Sequence, residues 1–224
     1  MSKVKTVYIE GNVGAGKSTF LNSIKKHVDV QVMYEPHELW ENVGGHNLLE
    51  RFFLDQKRWA YALQHYVMIT RIDQLKQAKL HNHGKQFECV ERSVFSGRYC
   101  FAQTLINMGI FSDLEWELYE ILWNRDVNGL LPDPAGFVYL RTPANICFER
   151  IKQRGRTAEN SITLDYLQQL EKNHDDWFLH KVGNIDNKML EIPVLVLDVS
   201  KNMATDEQLQ EDYLQKIKQF FTTL

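Results

Sequence analysis

Short apolar runs alternate along this chain with stretches in which apolar residues return every three to four positions. Val4–Ile9, Val30–Tyr34, Phe87–Val90, Phe137–Leu140 and Val194–Leu197 are brief and rich in β-branched and aromatic residues, and they predict five strands. Helical spacing follows the first run at Phe20, Leu21 and Ile24. It then fills roughly Leu48 to Leu80 with a break near Asp55, and covers Arg98–Met108 and Ser112–Leu130. Leu164, Leu167, Leu170 and Trp177 mark a helix begun by Thr163. Thr142 ahead of Pro143 reads as a capping residue before a first-turn proline. Thr205 to Gln208 matches a capping box opening a last helix that carries Leu209, Tyr213, Ile217 and Phe220. Apolar strands alternating with helices imply an α/β fold whose parallel sheet is covered on both faces.

Composition narrows this picture. A chain of 224 residues that is 44% hydrophobic and 25% charged suits one globular domain over 1–224. With 26 Lys and Arg against 29 Asp and Glu, the charge balance argues against nucleic-acid or acidic-membrane binding. No apolar run approaches the ~18–20 residues of a membrane span. The first residues run straight into a strand, so neither a signal nor a transit peptide is expected. Three cysteines, Cys89, Cys100 and Cys147, are an odd count that suits a reducing, cytoplasmic setting. His81 and His83 lack accompanying ligands and read as an exposed loop.

The sharpest motif is Gly11-Asn12-Val13-Gly14-Ala15-Gly16-Lys17-Ser18, followed by Thr19. It satisfies G-x-x-x-x-G-K-[ST], with a strand before and an amphipathic helix after. Backbone N–H groups and the helix N-terminus suit phosphate, Lys17 can reach the outer phosphates, and Ser18 can ligate Mg²⁺. A GTPase switch would need N-K-x-D, yet Asn187-Lys188 continues as Met189-Leu190.

Glu35-Pro36 and Glu91-Arg92-Ser93 end the second and third strands, where an open parallel sheet keeps its ligand crevice. Glu35 can accept a proton from an attacking hydroxyl, or be a solvated loop residue. Glu91 can hold Mg²⁺ through water and Arg92 can neutralise phosphate, or the two can form a surface pair. Arg150, Arg154 and Arg156 read either as a basic helix end or as a lid over transferring phosphate, with Gly155 supplying flexibility. Among the aromatics Phe52, Phe53, Trp59, Tyr61 and Tyr66, Gln64 offers a donor and an acceptor matching the edge of a base.

Together these segments resemble the deoxyribonucleoside kinases. Glu10–Ser18, Glu35-Pro36 with Trp40, Ala62–Tyr66, Glu91–Tyr99 and Arg150–Arg156 follow one another as in that family, to about Ser200. The resemblance implies a P-loop NTPase-type five-stranded parallel sheet with an Arg-rich lid near 150–160, usually a homodimer, using ATP and Mg²⁺ in nucleotide salvage. By position, Glu35 is then the base facing the sugar 5′-hydroxyl, Arg92 its partner, and Glu91 with Ser18 the magnesium side. Gln64 pairs with the base, Phe101 stacks on it, Trp40 lines the pocket, and Glu159 meets the 3′-hydroxyl. Lys17, Arg150, Arg154 and Arg156 attend the phosphates, and Asp198–Met203 holds the donor adenine.

Three departures stand out. Phe53 replaces a Tyr whose hydroxyl meets the 3′-oxygen, Leu63 replaces a stacking Phe, and Gly97 replaces the Asp that accompanies an Arg at position 71. With no carboxylate at Gly97, Arg71 is expected to donate to a base carbonyl, which favours thymine, uracil and guanine over cytosine and adenine; Val67, which resembles the pyrimidine enzymes, tips the choice toward thymidine and deoxyuridine over deoxyguanosine. The space at Gly97 and Leu63 would admit a 5-methyl group or a purine ring. The alternatives are a nucleoside monophosphate kinase of thymidylate kinase type and a catalytically inactive kinase-like subunit.

Overall fold

The computed structural model describes residues 4–80, 84–127, 131–201 and 206–224. The chain begins with β1 (Lys5–Glu10), α1 (Lys17–His27), β2 (Gln31–Met33), α2 (His37–Glu41), α3 (Leu48–Leu54) and α4 (Gln56–Leu80). Next come β3 (Phe87–Glu91), the single turn α5 (Val94–Ser96), a wide π turn over Gly97–Ala102, α6 (Gln103–Asn107) and α7 (Asp113–Asp126). It closes with β4 (Gly136–Arg141), α8 (Ala144–Arg154), α9 (Leu164–Asp175), α10 (Asn187–Glu191), β5 (Val194–Asp198) and α11 (Glu207–Thr223).

All five strands are parallel, in the order β2-β3-β1-β4-β5. Alternation along β1 serves two cores, because successive side chains leave opposite faces. Val7 and Ile9 join Phe20, Leu21, Ile24 and Ile217 on the side of α1 and α11. Tyr8 joins Val67, Phe95, Trp123, Leu167 and Trp177 on the side of α4, α7 and α9. Ile9 aligns with Glu91, Glu10 with Tyr139, and Met33 with Val90. This register carries Gly11, Glu35 and Arg92 out beyond one carboxyl edge of the sheet.

The expected break at Asp55 is present, and Thr163 caps α9 by accepting from Tyr166 N. Other expectations need correction. Thr142 does not cap α8: Pro143 lies outside the helix in extended conformation, and Glu171 takes the first N–H, of Ala144, at 2.9 Å. The Thr142 hydroxyl instead reaches Ala15 O in the phosphate loop at 3.4 Å. The cap of α11 is Asp206, which accepts from Leu209 N at 3.0 Å; Thr205 lies outside the described residues. His81–His83 and the end of the predicted Ser112–Leu130 helix also lie outside them. The predicted Arg98–Met108 helix starts earlier, at Val94, and widens into its π turn.

Candidate active site

The loop from β1 to α1 is tightly determined. Gly16, the N-cap of α1, has φ +96°, and nothing lies within 4 Å of where a Cβ would stand. The positive φ favours glycine, and the open side leaves room for a phosphate. Asn12 braces the loop, donating from Nδ2 to Leu167 O at 2.8 Å and accepting from Val13 N at 2.8 Å. Lys17 folds back to donate to Gly11 O and Asn12 O at 3.2 and 2.9 Å. Burial, then the nearby Arg92, lowers its ammonium pKa to about 8. The Ser18 hydroxyl donates to Glu91 at 2.9 Å, so two oxygen donors stand side by side at the mouth of the loop. Hard oxygen ligands of this kind fit Mg²⁺, which takes one or two protein oxygens and completes its shell with phosphates and water.

Glu35 lies at the centre of a charged cluster. Its Oε1 accepts from Arg71 Nη2 and lies 3.4 Å from Arg92 Nη1, while Oε2 stands 3.3 Å from His37 Nε2. Burial pushes this carboxyl up, but Arg92, Arg71, His37 and Lys17 outweigh it and hold Glu35 well below the usual carboxylate range. Arg92 also donates to Gly11 O at 3.0 Å and stacks 4.4 Å over the Phe101 ring. Its backbone adopts φ +61°, a strained value for a non-glycine residue of the kind that clusters at functional sites. The neighbouring Ser93 N–H donates to buried Glu10 at 2.9 Å, tying the ends of β1 and β3 together.

Arg71 departs from expectation. Besides Glu35 it bonds Ser93 O at 3.1 Å, and its Nη1 lies 3.3 Å from where a Gly97 Cβ would be. A carboxylate is available after all, supplied by Glu35 rather than by position 97. The space at Gly97 is filled by the guanidinium itself.

Around this cluster lies a cavity of about 350 Å³. Trp40, Phe53, Leu63, Gln64, Val67, Phe101 and Tyr166 form its walls, and Lys17, Ser18 and Glu91 line its end at the glycine loop. Trp40 is fixed by donation from Nε1 to Thr70 Oγ1 at 2.9 Å. The lid residues close the rim. Arg154 pairs with the buried Glu159, and Arg156 Nη1 lies 3.5 Å from it. Gly155 is the left-handed C-cap of α8, at φ +68°. Arg150 instead braces the donor side, reaching Val199 O and Lys201 O at 2.9 and 3.0 Å and Ala15 O at 3.5 Å. Asn202 and Met203 of the expected adenine segment lie outside the described residues.

Strand ends, phosphate loop, buried carboxylate and lid thus meet at one cavity, and residues 7–222 match the family model for deoxynucleoside kinase. The chain belongs to the deoxynucleoside kinase family. It is 36% identical to deoxycytidine kinase 2 of Gallus gallus, over 99% of this chain and 92% of that protein. It is 33% identical to deoxycytidine kinase of Homo sapiens, over 100% and 93%. Mitochondrial thymidine kinase 2 of Homo sapiens is 32% identical over 96% and 78%. As a deoxynucleoside kinase the chain is a phosphotransferase, so the inactive-subunit and thymidylate-kinase alternatives fall away. The expected site residues from Val13 to Glu159 line this cavity except Ala15, which with Gly11 and Asn12 lies behind it, accepting through backbone oxygens from Arg150, Arg92 and Lys17 respectively. Sequence reasoning missed His37 and Tyr166; only their proximity to Glu35-Pro36 and to the Thr163 cap marked them.

Proposed function

We propose that this kinase domain transfers the γ-phosphate of ATP to the 5′-hydroxyl of a pyrimidine deoxynucleoside. Glu35 accepts the hydroxyl proton on Oε2, which faces a single imidazole nitrogen at 3.3 Å whereas Oε1 faces two guanidinium groups. Arg92 holds that carboxylate in place. Lys17 leaves the loop carbonyls for phosphate oxygens, joined by Arg154 and Arg156 once they release Glu159. Ser18 and, through water, Glu91 would hold Mg²⁺, which neutralises charge between the phosphates. Glu159, freed of the arginines, meets the 3′-hydroxyl.

Gln64 reads the base. Its amide has no protein partner among the described residues, and it offers both a donor and an acceptor. Turned one way the amide matches thymine or uracil; turned the other, cytosine. The earlier preference for 4-oxo bases rested on a free Arg71, and the Glu35–Arg71 pair removes that ground. The same guanidinium takes up the room at Gly97 expected to help admit a purine ring. The observation that carries the reading is the convergence of Glu35, Arg92, Lys17 and Gln64 on one cavity.

An exposed apolar stripe on α7 and one exposed apolar residue on α4 support a homodimer. Leu114 and Ile121 are 69% and 61% exposed on α7 with Leu118 between them, and Ile69 is exposed on α4. Apolar faces of this kind suit an isologous two-fold contact. No helix among the described residues is long and apolar enough to cross a membrane. The three cysteines are free and buried, in keeping with a reducing cytoplasmic setting.

The test is kcat/KM with ATP for thymidine, deoxyuridine, deoxycytidine, deoxyguanosine and deoxyadenosine. The pyrimidines should lie within about tenfold of one another and above both purines. A purine as best substrate overturns the base assignment, and no turnover with any of the five overturns the reaction.

A further inference from the structure

The second oxygen of Glu35 has a neighbour with no role so far. Pro36, at φ −83° and ψ 60°, forms an inverse γ-turn in which His37 N donates to Glu35 O at 2.9 Å. The turn folds the His37 ring back over the carboxylate, 3.3 Å from Nε2 to Oε2. On its other side the ring meets the edge of Trp40 at 5.3 Å, and Trp40 is itself anchored on Thr70. His37 is therefore fixed between the pocket wall and the carboxylate.

The chemistry of the ring adds direction. A carboxylate only accepts, so the nitrogen facing it must carry hydrogen. The neutral imidazole then has its lone pair on Nδ1, and Nδ1 is buried with no hydrogen-bond partner among the described residues. Burying an unpaired acceptor costs free energy, which an apolar side chain of similar size would not incur. Packing alone does not account for a histidine here, whereas a donor aimed at Oε2 does. The separation is long for a hydrogen bond, as catalytic contacts commonly are before substrate closes the site.

We propose that His37 is a positioning residue for the proton-accepting carboxylate. Its Nε2–H holds Oε2 while Arg71 and Arg92 hold Oε1, so three donors present Glu35 to the acceptor hydroxyl. The inference rests on the reading of Glu35 as base.

The ring is surrounded by charge. Glu35 and Glu91 favour its protonated form. Burial opposes that form most strongly, followed by Arg156 and Arg92, and the ring pKa falls below its ordinary value. Arg71 and Lys17 act on it through Glu35, and Glu38 and Glu41 lie on its own helix. Near neutrality it is an uncharged donor. On acidification it becomes a cation against Oε2 and weakens the base, so turnover falls as pH drops below the ordinary histidine range.

The experiment measures kcat and KM from pH 5 to 8 with ATP, Mg²⁺ and the best deoxynucleoside, for the parent, His37→Gln and His37→Val. Thermal unfolding checks that all three are folded. Gln keeps an N–H donor without titrating, and should retain kcat within a few-fold at pH 7.5. Val should lose roughly ten- to a hundredfold in kcat with KM little changed. The acid fall of the parent should be absent from both variants. A Val variant with parental kcat, or the same acid fall in all three proteins, overturns the proposal. If Glu35→Gln keeps parental turnover, it is the base reading that fails, and the role of His37 with it.

Discussion

The two halves of the site hold their charges in opposite ways. On the acceptor side, the Glu35 side chain is 2% exposed between Arg71 and Arg92, themselves buried at 7% and 6%. On the lid, Arg154 and Arg156 are 37% and 40% exposed, and both rest on Glu159. Removing one partner from a buried pair costs about 3–5 kcal/mol, because a charge is left unpaired away from water. The lid guanidinium groups are open to water, which screens their charge in a way that the buried Arg71 and Arg92 do not experience. The acceptor carboxylate is thus locked before substrate arrives. The lid arginines sit on a carboxylate that is itself 4% exposed, so they can be drawn to phosphate only where Glu159 gains another partner in exchange. Positioning the hydroxyl needs fixed geometry, whereas following a moving phosphoryl group needs partners that can be traded.

The comparison breaks most visibly at Glu35. Glu35→Gln should lower kcat by roughly 10²–10⁴-fold, since the amide cannot accept the hydroxyl proton. It should also lower stability, because Arg71 and Arg92 lose their carboxylate in a buried site. ATP affinity, set by the other half, should hold. Parental turnover in folded Glu35→Gln would remove Glu35 from the mechanism, and a lost ATP affinity would show that the two halves are not separable.

Lys17 tests the donor half without substrate. Its ammonium is buried, with a pKa of about 8 in place of 10.5. Between those values the unfolded chain binds the proton and the folded chain does not, so the Lys17 contribution to stability rises with pH across that window. The full difference is on the order of 3 kcal/mol. Unfolding free energies of the parent and Lys17→Met should therefore diverge in favour of the parent from pH 8 to 10.5. Saturating nucleotide, which restores a counter-charge, should flatten that divergence. A pH-independent difference in the ligand-free proteins would mean that Lys17 is not strained by burial.

The same contrast explains what could be read from the residues alone. Apolar runs and the glycine-lysine loop are local patterns, so the five strands, the Asp55 break and the turn from β1 into α1 were legible. Pairings across the chain were not. Arg71 and Glu35 are 36 positions apart, and nothing nearby in sequence distinguishes that arginine from one facing solvent. The missing carboxylate at Gly97 pointed to a free guanidinium, because the substitute comes from another strand end. Nothing in the local pattern singles out His37; the γ-turn at Pro36 is what places it on Glu35. The π turn over Gly97–Ala102 was equally hidden, since its apolar spacing differs little from that of an α-helix.

The smallest expected effect lies where the two halves meet, at the sugar 3′-hydroxyl. Phe53 faces the cavity with its ring 4.9 Å from Phe52 and 6.3 Å from Tyr166, and Glu159 lines the same space. A phenylalanine gives the 3′-oxygen no hydrogen bond, so on the proposed reading its recognition falls to Glu159, once Arg154 and Arg156 have let go. Phe53→Tyr would add one neutral hydrogen bond from the rigid half, worth about 0.5–1.5 kcal/mol net. The ratio of kcat/KM for a deoxynucleoside over its 3′-deoxy analogue should then rise roughly two- to tenfold. The gain should persist when Glu159→Gln is combined with it, because the two contacts come from different elements. A ratio equal to that of the parent would mean that the added hydroxyl points away from the sugar and that the lid alone governs the 3′ position.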